Sequence, residues 1–207
     1  MTALSNQRPP FDPLIRDIAS YALDKKTPGA EALDMARWCL MDALGCAFDA
    51  LGSPDCRAHL GPFSPGMRVP HGARVPGTSY VLDPLKAAFD TTCLIRWLDF
   101  SDTWLSGGHP SDNIGALLAT GDHLSRRSAV GSGKPVTMKT VLDVMIRAYE
   151  IHGMLGNVIA VDHPDIGMDN TFLVKIASSA MSPPTATPAS APVSFEPLDT
   201  PSTTTIS

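Results

Sequence analysis

"MARWCLMDALGCAFDAL", residues 35–51, decides the fold class. It is apolar on most sides, yet Asp42 and Asp49 interrupt it, and two carboxylates inside a bilayer would be costly. The segment therefore reads as a buried helix of a globular core, with no membrane span. Leu33, Ala36, Leu40, Leu44 and Phe48 recur at helical spacing, so the helix is expected over about residues 28–51. Its Met and Cys positions are expected to be core residues as well.

Working outward, one helix-start signal recurs: a capping residue followed by proline, at Asp12-Pro13, Thr27-Pro28 and Asp83-Pro84. Proline at the first helical position sacrifices no intrahelical hydrogen bond, and the Asp or Thr oxygen can accept an orphan amide proton. The first helix presents Leu14, Ile15, Ile18, Ala19 and Ala22 on one face and leaves Arg16, Asp17 and Asp24 to solvent. The third, about 84–98, is expected to bury Leu85, Phe89, Cys93 and Trp97. Between them, "GPFSPGMRVPHGARVPG", residues 61–77, has four prolines and four glycines and reads as a surface loop. A fourth helix starts at Pro110 and runs through Leu117, Leu118 and Leu124. A fifth starts from Thr137, with Lys139, Asp143 and Arg147 at i,i+4 steps opposite Val141, Met145 and Tyr149. "NTFLVKIASSAM", residues 170–181, closes the series with a shorter helix.

The fold class is accordingly all-α. The hydrophobic content of 43% is enough to fill a core, and no βαβ alternation, GxGxxG or P-loop pattern suggests a nucleotide fold. From Ser182 to Ser207, 17 of 26 residues are Pro, Ser or Thr, and the segment contains no Lys, Arg or His. Such a composition cannot bury enough apolar surface to offset its conformational entropy. The expected organisation is a disordered N-terminus over 1–11, a helical domain over 12–181 and a disordered tail over 182–207.

Charge narrows the function classes. A formal charge of −5 with no basic run offers nucleic acid no electrostatic footprint. Cys39, Cys46, Cys56 and Cys93 lack CxxC spacing, which favours reduced thiols in a cytosol-like compartment and argues against zinc or iron–sulfur ligation. Only Arg8 and Arg16 hint at a mitochondrial presequence. His59, His71, His123, His152 and His163 are scattered without metal-ligand pairing and are read as surface or loop residues without a role.

Chemistry concentrates in "DFSDTWLSGGHPSDN", residues 99–113. One more turn of the third helix would place Asp99, Asp102 and Thr103 on one face, and Gly107 and Gly108 would allow a reversal that returns His109 to it. Neighbouring carboxyls and a histidine supply general bases and acids near neutral pH. The amides of the helix at Pro110 would favour an anion, although Asp112 could satisfy them internally. A structural reading also fits: Asp102 capping a turn, Thr103 bonding backbone, His109 satisfied beside its proline, and Arg96 bridging to Asp99 rather than to a substrate carboxylate. Spacing alone leaves both readings open.

"RVPGTSYVLDPLKAAFDTTCLIRWLDFSDTW", "GHPSDNIGALLATGDHLSR", "TMKTVLDVMIRAYEIHG" and "FLVKIASSAM" resemble the MmgE/PrpD family over about residues 12–181. The resemblance implies a helical domain with a smaller α+β lid, usually in a homodimer, and no essential metal or cofactor. It implies a cytoplasmic hydro-lyase, mitochondrial in a eukaryote, that removes water from the tricarboxylate 2-methylcitrate to give 2-methyl-cis-aconitate during propionate breakdown. A cis-aconitate decarboxylase-like lyase, or an inactive helical fragment pairing with full-length subunits, is the alternative. Carried over by position, Asp99, Thr103 and His109 match the family's catalytic residues, with Asp102 and Arg96 in support. The chain departs from the family in a shorter Thr103–His109 loop and in Asn170, where a histidine is usual. It departs again after Met181, where the family continues into a lid and further segments supplying a catalytic lysine and another histidine. The expectation is therefore an N-terminal part of the fold, truncated after about residue 181, with the lid absent. Apolar faces should then be left open, notably on the second and fifth helices.

Overall fold

The computed structural model describes residues 10–105, 108–131, 134–159 and 167–181. Seven α-helices occur among them: α1 Pro13–Leu23, α2 Ala30–Ala50, α3 Pro54–Ala58, α4 Pro84–Arg96, α5 Ile114–Ser128, α6 Met138–Ile159 and α7 Thr171–Met181. A two-residue antiparallel pair, β1 Ala73–Arg74 with β2 Val81–Leu82, and a 3-10 turn at Pro110–Asn113 complete the described elements. The architecture is all-α. The segments expected to be disordered, 1–9 and 182–207, lie outside the described residues.

Two of the three cap-proline signals work as read. The Asp12 and Asp83 carboxylates accept from the Leu14 and Leu85 amides at 2.8 and 2.9 Å. Thr27-Pro28 does not cap: α2 begins at Ala30 behind Gly29, which makes no side-chain cap bond. The same signal at Ser53-Pro54, not singled out above, starts the short α3, with Ser53 Oγ accepting from the Cys56 amide. Thr137 opens α6 as expected, its hydroxyl accepting from the Thr140 amide at 3.2 Å. The Pro/Gly-rich segment is irregular except for β1, whose partner strand lies just beyond it.

Alanines set the helix spacing. α2 turns Ala36, Ala43, Ala47 and Ala50 inward together with Leu40 and Cys46, and α4 and α6 pack against it. α4 meets α5 most closely where a Cβ on Gly115 would stand 2.2 Å from Thr92 Oγ1 and 2.6 Å from the Ala88 carbonyl, so the crossing needs glycine. α6 contributes Val141, Leu142, Met145, Ala148, Ile151 and Leu155, and α7 closes on it with Leu173 and Ala177.

What is buried differs from the expectation on several helices; on α1 no residue is fully buried, and Leu14 and Ile15 are exposed. α4 buries Ala87, Leu94 and Ile95 together with the polar Lys86, Asp90 and Thr91, whereas Leu85 and Phe89 are exposed, Trp97 is partly open and Cys93 is half-buried. Lys86 and Asp90 could be taken inside because they are paired, whereas the Thr91 hydroxyl has no hydrogen-bond partner among the described residues. Lys86 bridges to Asp90 and donates to the His59 carbonyl at 3.0 Å, and Asp90 Oδ2 accepts from the Gly61 amide at 2.9 Å. On α2, Met35, Met41, Phe48 and Trp38 face outward, contrary to the reading of its Met positions and Phe48 as core. The open apolar face foreseen for the second helix is thus present, and Met154 and Val158 form a smaller one on α6. Arg147, expected on the solvent side of α6, is buried. It donates to Asp143 at 3.1 Å, to the Tyr21 carbonyl at 3.1 Å and to the Lys26 carbonyl at 2.6 Å, tying α6 to the end of α1 and the link to α2.

Candidate functional site

α4 does not run on through the acidic stretch. It ends at Arg96, and Asp99 adopts φ +58°, the left-handed conformation that stops a helix, with its amide donating to the Arg96 carbonyl at 3.1 Å. The single helical face expected for Asp99, Asp102 and Thr103 therefore does not form. Asp is among the few residues other than glycine that tolerate this conformation. The reversal turns the Asp99 carboxylate back toward Arg96, with which it forms an ion pair, as the structural reading of Arg96 has it.

His109 returns to the same corner. The connection closes through the Trp104 amide donating to the Gly108 carbonyl at 2.7 Å, and Trp104 Nε1 reaches Asn157 of α6 at 3.1 Å. Gly108 has φ +71°, and a Cβ there would stand 2.1 Å from Asn170 Nδ2, so only glycine permits this approach. Gly107 lies outside the described residues. Pro110 is fully buried and its ring fixes the backbone immediately after His109.

The His109 ring is held at one nitrogen and presented at the other. Nδ1 lies 2.7 Å from the Asp102 carbonyl oxygen and 3.4 Å from Ser101 Oγ. A carbonyl can only accept, so Nδ1 carries the hydrogen, and in the neutral ring the lone pair is at Nε2. Nε2 faces Asp99 Oδ1 at 3.7 Å. Asp99 is itself exposed, and the Arg96 hydrogen bond and charge, with a smaller contribution from His109, hold its carboxyl below the usual carboxylate range.

Asp102 takes the structural role weighed above, its Oδ1 accepting from the Ser111 amide at 3.0 Å. The Asp112 amide goes to the His109 carbonyl at 3.1 Å. These two amides of the turn at Pro110 are thus occupied from within, one by Asp102 and one by the His109 carbonyl rather than by the Asp112 side chain. Thr103 lies exposed on the loop between Asp102 and Trp104.

Two residues of the corner take places that the sequence reading did not give them, Asp112 having been expected to satisfy the helix-end amides. Asp112 is buried, with Oδ2 3.7 Å from Arg96 Nε and with Oδ1 lacking a hydrogen-bond partner among the described residues. Desolvation pushes its carboxyl up to about 6, against the opposing charges of Arg96 and His109. His152, read above as a surface or loop residue without a role, is fully buried in α6 beside Asn113, whose Nδ2 lies 3.2 Å from His152 Nδ1. Ser178 of α7 donates to Asn113 Oδ1 at 2.7 Å, so one buried network joins the turn to α6 and α7. The run of buried polar residues Ser111, Asp112 and Asn113 directly after His109 is the sequence signal for this layer, but burial cannot be read from residue type. Tyr149, also on α6, places its buried hydroxyl near Asp102, and burial followed by that carboxylate pushes the phenol above its ordinary range.

Among the described residues, no cluster of three or more His, Cys, Asp or Glu could hold a metal ion. No helix among them is long and apolar enough to cross a membrane. The four cysteines are free thiols, raised above their ordinary value chiefly by burial.

Comparison with known proteins places this corner in a family. The MmgE/PrpD N-terminal domain matches residues 16–182. The chain is 50% identical over 181 residues to the 2-methylcitrate dehydratase of Escherichia coli K12, covering 86% of this chain and 37% of that protein. It is 49% identical over 180 residues to the enzyme of the same name from Salmonella typhi, with the same coverage. With the mitochondrial 2-methylcitrate dehydratase of Yarrowia lipolytica it shares 44% over 179 residues, or 85% of this chain and 34% of that protein. The chain thus spans a little over a third of the length of these curated relatives. Matched along most of its length, and agreeing with the all-α architecture, the chain belongs to the MmgE/PrpD family.

Proposed function

We propose that this chain is the helical portion of a hydro-lyase that removes water from 2-methylcitrate to give 2-methyl-cis-aconitate. The observation that carries the reading is the placement of His109 Nε2 3.7 Å from Asp99 Oδ1, with the opposite ring nitrogen tied to backbone. The names of the relatives supply the substrate.

The elimination moves two protons. A base takes the C–H proton beside a carboxylate, and an acid protonates the departing hydroxyl oxygen, so that water leaves as the carbon–carbon double bond forms. Asp99, kept ionised by Arg96, is a weak base and a poor proton donor. Its contribution is to stabilise the imidazolium when His109 gains a proton. His109 Nε2 accepts a proton in the neutral ring and gives it back from the charged one. Arg96, partly exposed, can receive a substrate carboxylate in exchange for Asp99. Thr103 orients the substrate, and Asp102 fixes the turn that aims His109.

The test is incubation of the purified protein with 2-methylcitrate while ultraviolet absorbance of the conjugated product is followed. Turnover should fall by about a hundredfold or more in His109→Ala. Loss of carbon dioxide instead of water, seen by product mass, would move the protein to the decarboxylase-like alternative. The exposed apolar face of α2, with Met35, Trp38, Met41 and Phe48, favours a second reading, a helical fragment that pairs with a full-length subunit. Co-purification with such a subunit, without turnover by the chain alone, identifies that case. The cytoplasm, or the mitochondrion as in the Yarrowia relative, is the compartment that fits either reading.

A further inference from the structure

Arg96 stands between two carboxyls of opposite exposure. Asp99 meets its outer nitrogen and has a side chain 73% exposed, whereas Asp112 faces its Nε from within and is 7% exposed. A buried carboxyl with one oxygen near a guanidinium and the other oxygen unpartnered is costly to keep charged. The alternative to carrying that cost is to take a proton. We propose that Asp112 is the positioning carboxyl of this corner: it pins the inner edge of the Arg96 guanidinium and takes up a proton from solvent when a multiply charged carboxylate anion engages Arg96 from outside.

The surroundings of Asp112 support a group that responds to added negative charge. Arg96 of α4 and His109 of the connection favour its charged form, while Asp102 of the connection and Asp169 ahead of α7 oppose it. From α6, the buried hydroxyl of the half-buried Tyr149 also lies in the field of both Asp102 and Asp112. Asp99 lies on the far side of Arg96. Burial leaves this balance near neutrality, where a carboxylate anion arriving at Arg96 both competes for the guanidinium and repels Asp112. Both effects favour the protonated acid. Asp112 touches no reacting atom in this scheme. It acts through Arg96: ionised, it holds the inner edge of the guanidinium in the free corner, and protonated, it lowers the corner's negative charge by one when the anion takes over that guanidinium.

The proposal rests on the tricarboxylate reading for its ligand class, and its test needs no turnover. The full chain, labelled with 13C at aspartate carboxyls and assigned through backbone connectivity, is titrated from pH 4 to pH 8 by NMR. The probe is propane-1,2,3-tricarboxylate, which has three carboxylates and no hydroxyl to lose, compared with sodium chloride at matched ionic strength. The Asp112 midpoint should rise by about half a pH unit or more with the probe, and Arg96→Gln should abolish that rise. A midpoint that does not respond to the tricarboxylate, or responds equally in Arg96→Gln, overturns the proposal. Dehydration of 2-methylcitrate is measured separately, so an unresponsive Asp112 in an active protein defeats this inference alone. A responsive Asp112 in a protein yielding another product defeats only the choice of reaction.

Discussion

Removing the carboxylate of Asp90 should be among the most damaging single changes in α4. Asp90 is fully buried, bridges to Lys86, which is also buried, and accepts from the Gly61 amide at 2.9 Å. In Asp90→Ala the Lys86 ammonium keeps the His59 carbonyl at 3.0 Å but loses its counter-charge, which costs about 3–5 kcal/mol for a buried pair. The stranded Gly61 amide adds about 1–3 kcal/mol, partly overlapping with the first cost because the loop relaxes around both. A net loss of about 4 kcal/mol is expected, a large share of the roughly 5–15 kcal/mol that a domain of this kind possesses. In Lys86→Met/Asp90→Leu neither charge remains, and only two neutral groups, the Gly61 amide and the His59 carbonyl, lose their partners, so the double variant should recover about 1 kcal/mol or more of that loss. Urea unfolding followed by circular dichroism reads both. At a slope near 2 kcal/mol per molar, Asp90→Ala should lower the midpoint by about 2 M. A single variant within about 1 kcal/mol of the parent, or a double variant as unstable as the single, would refute the reasoning that an uncompensated buried charge dominates here.

Arg147→Ala should destabilise by about 2–4 kcal/mol because two carbonyls and Asp143 lose a buried charged donor; hydrogen exchange should show α1 released first, and unchanged protection of Pro13–Leu23 would count against that anchoring. Gly115→Ala drives a Cβ against Thr92 and the Ala88 carbonyl and should cost about 1–3 kcal/mol, visible as a lower melting temperature. For Asp112 the folded carboxyl sits near 6, above its value of about 3.8 in the unfolded chain, so the folded state binds more protons between those limits and loses stability as pH rises through that window. The difference amounts to about 3 kcal/mol at most; Asp112→Asn, which has no proton to lose, should therefore gain on the parent between pH 4 and pH 7 in denaturant titrations, and parallel stability profiles would show that Asp112 does not titrate there.

The helices were legible where a local rule decides them. Asp12-Pro13 and Asp83-Pro84 fix helix starts through groups adjacent in sequence, and the capping bonds form at those positions. Thr27-Pro28 shows the limit of the rule, since the Lys26 carbonyl is held by Arg147, more than a hundred residues away, and α2 starts only after Gly29. Periodicity located α4 but chose the wrong face. Leu85 and Phe89 form a regular apolar stripe, whereas Lys86 and Asp90 neutralise one another across one helical turn and can be buried together. No single-residue hydrophobicity carries that pairing. In the corner, Asp99, Asp102 and His109 were legible as chemistry but not as geometry. The reversal comes from a left-handed aspartate, and the assumption of another helical turn hid it. Asp112, expected to cap a turn, and His152, expected on the surface or a loop, were misplaced because their character is conferred by burial, which depends on where α6 and α7 pack.

That dependence explains how a loop can hold reactive groups at fixed distances. Three side chains of the corner are attached beyond their own position on the loop: Asp99 to the last turn of α4, the His109 ring to the Asp102 carbonyl, and Trp104 to Asn157 of α6. Asp102 in turn is fixed by the Ser111 amide, and the turn containing Ser111 is anchored through Asn113 to His152 and Ser178. The exposed layer that meets solvent, Asp99 and Thr103, thus rests on a buried layer whose hydrogen bonds run into three helices. A substitution in the buried layer should therefore alter the aim of His109 Nε2 without touching it. In His152→Phe the Asn113 amide loses its ring partner, and the distance between Nε2 and Asp99, rather than the identity of either group, is what should change.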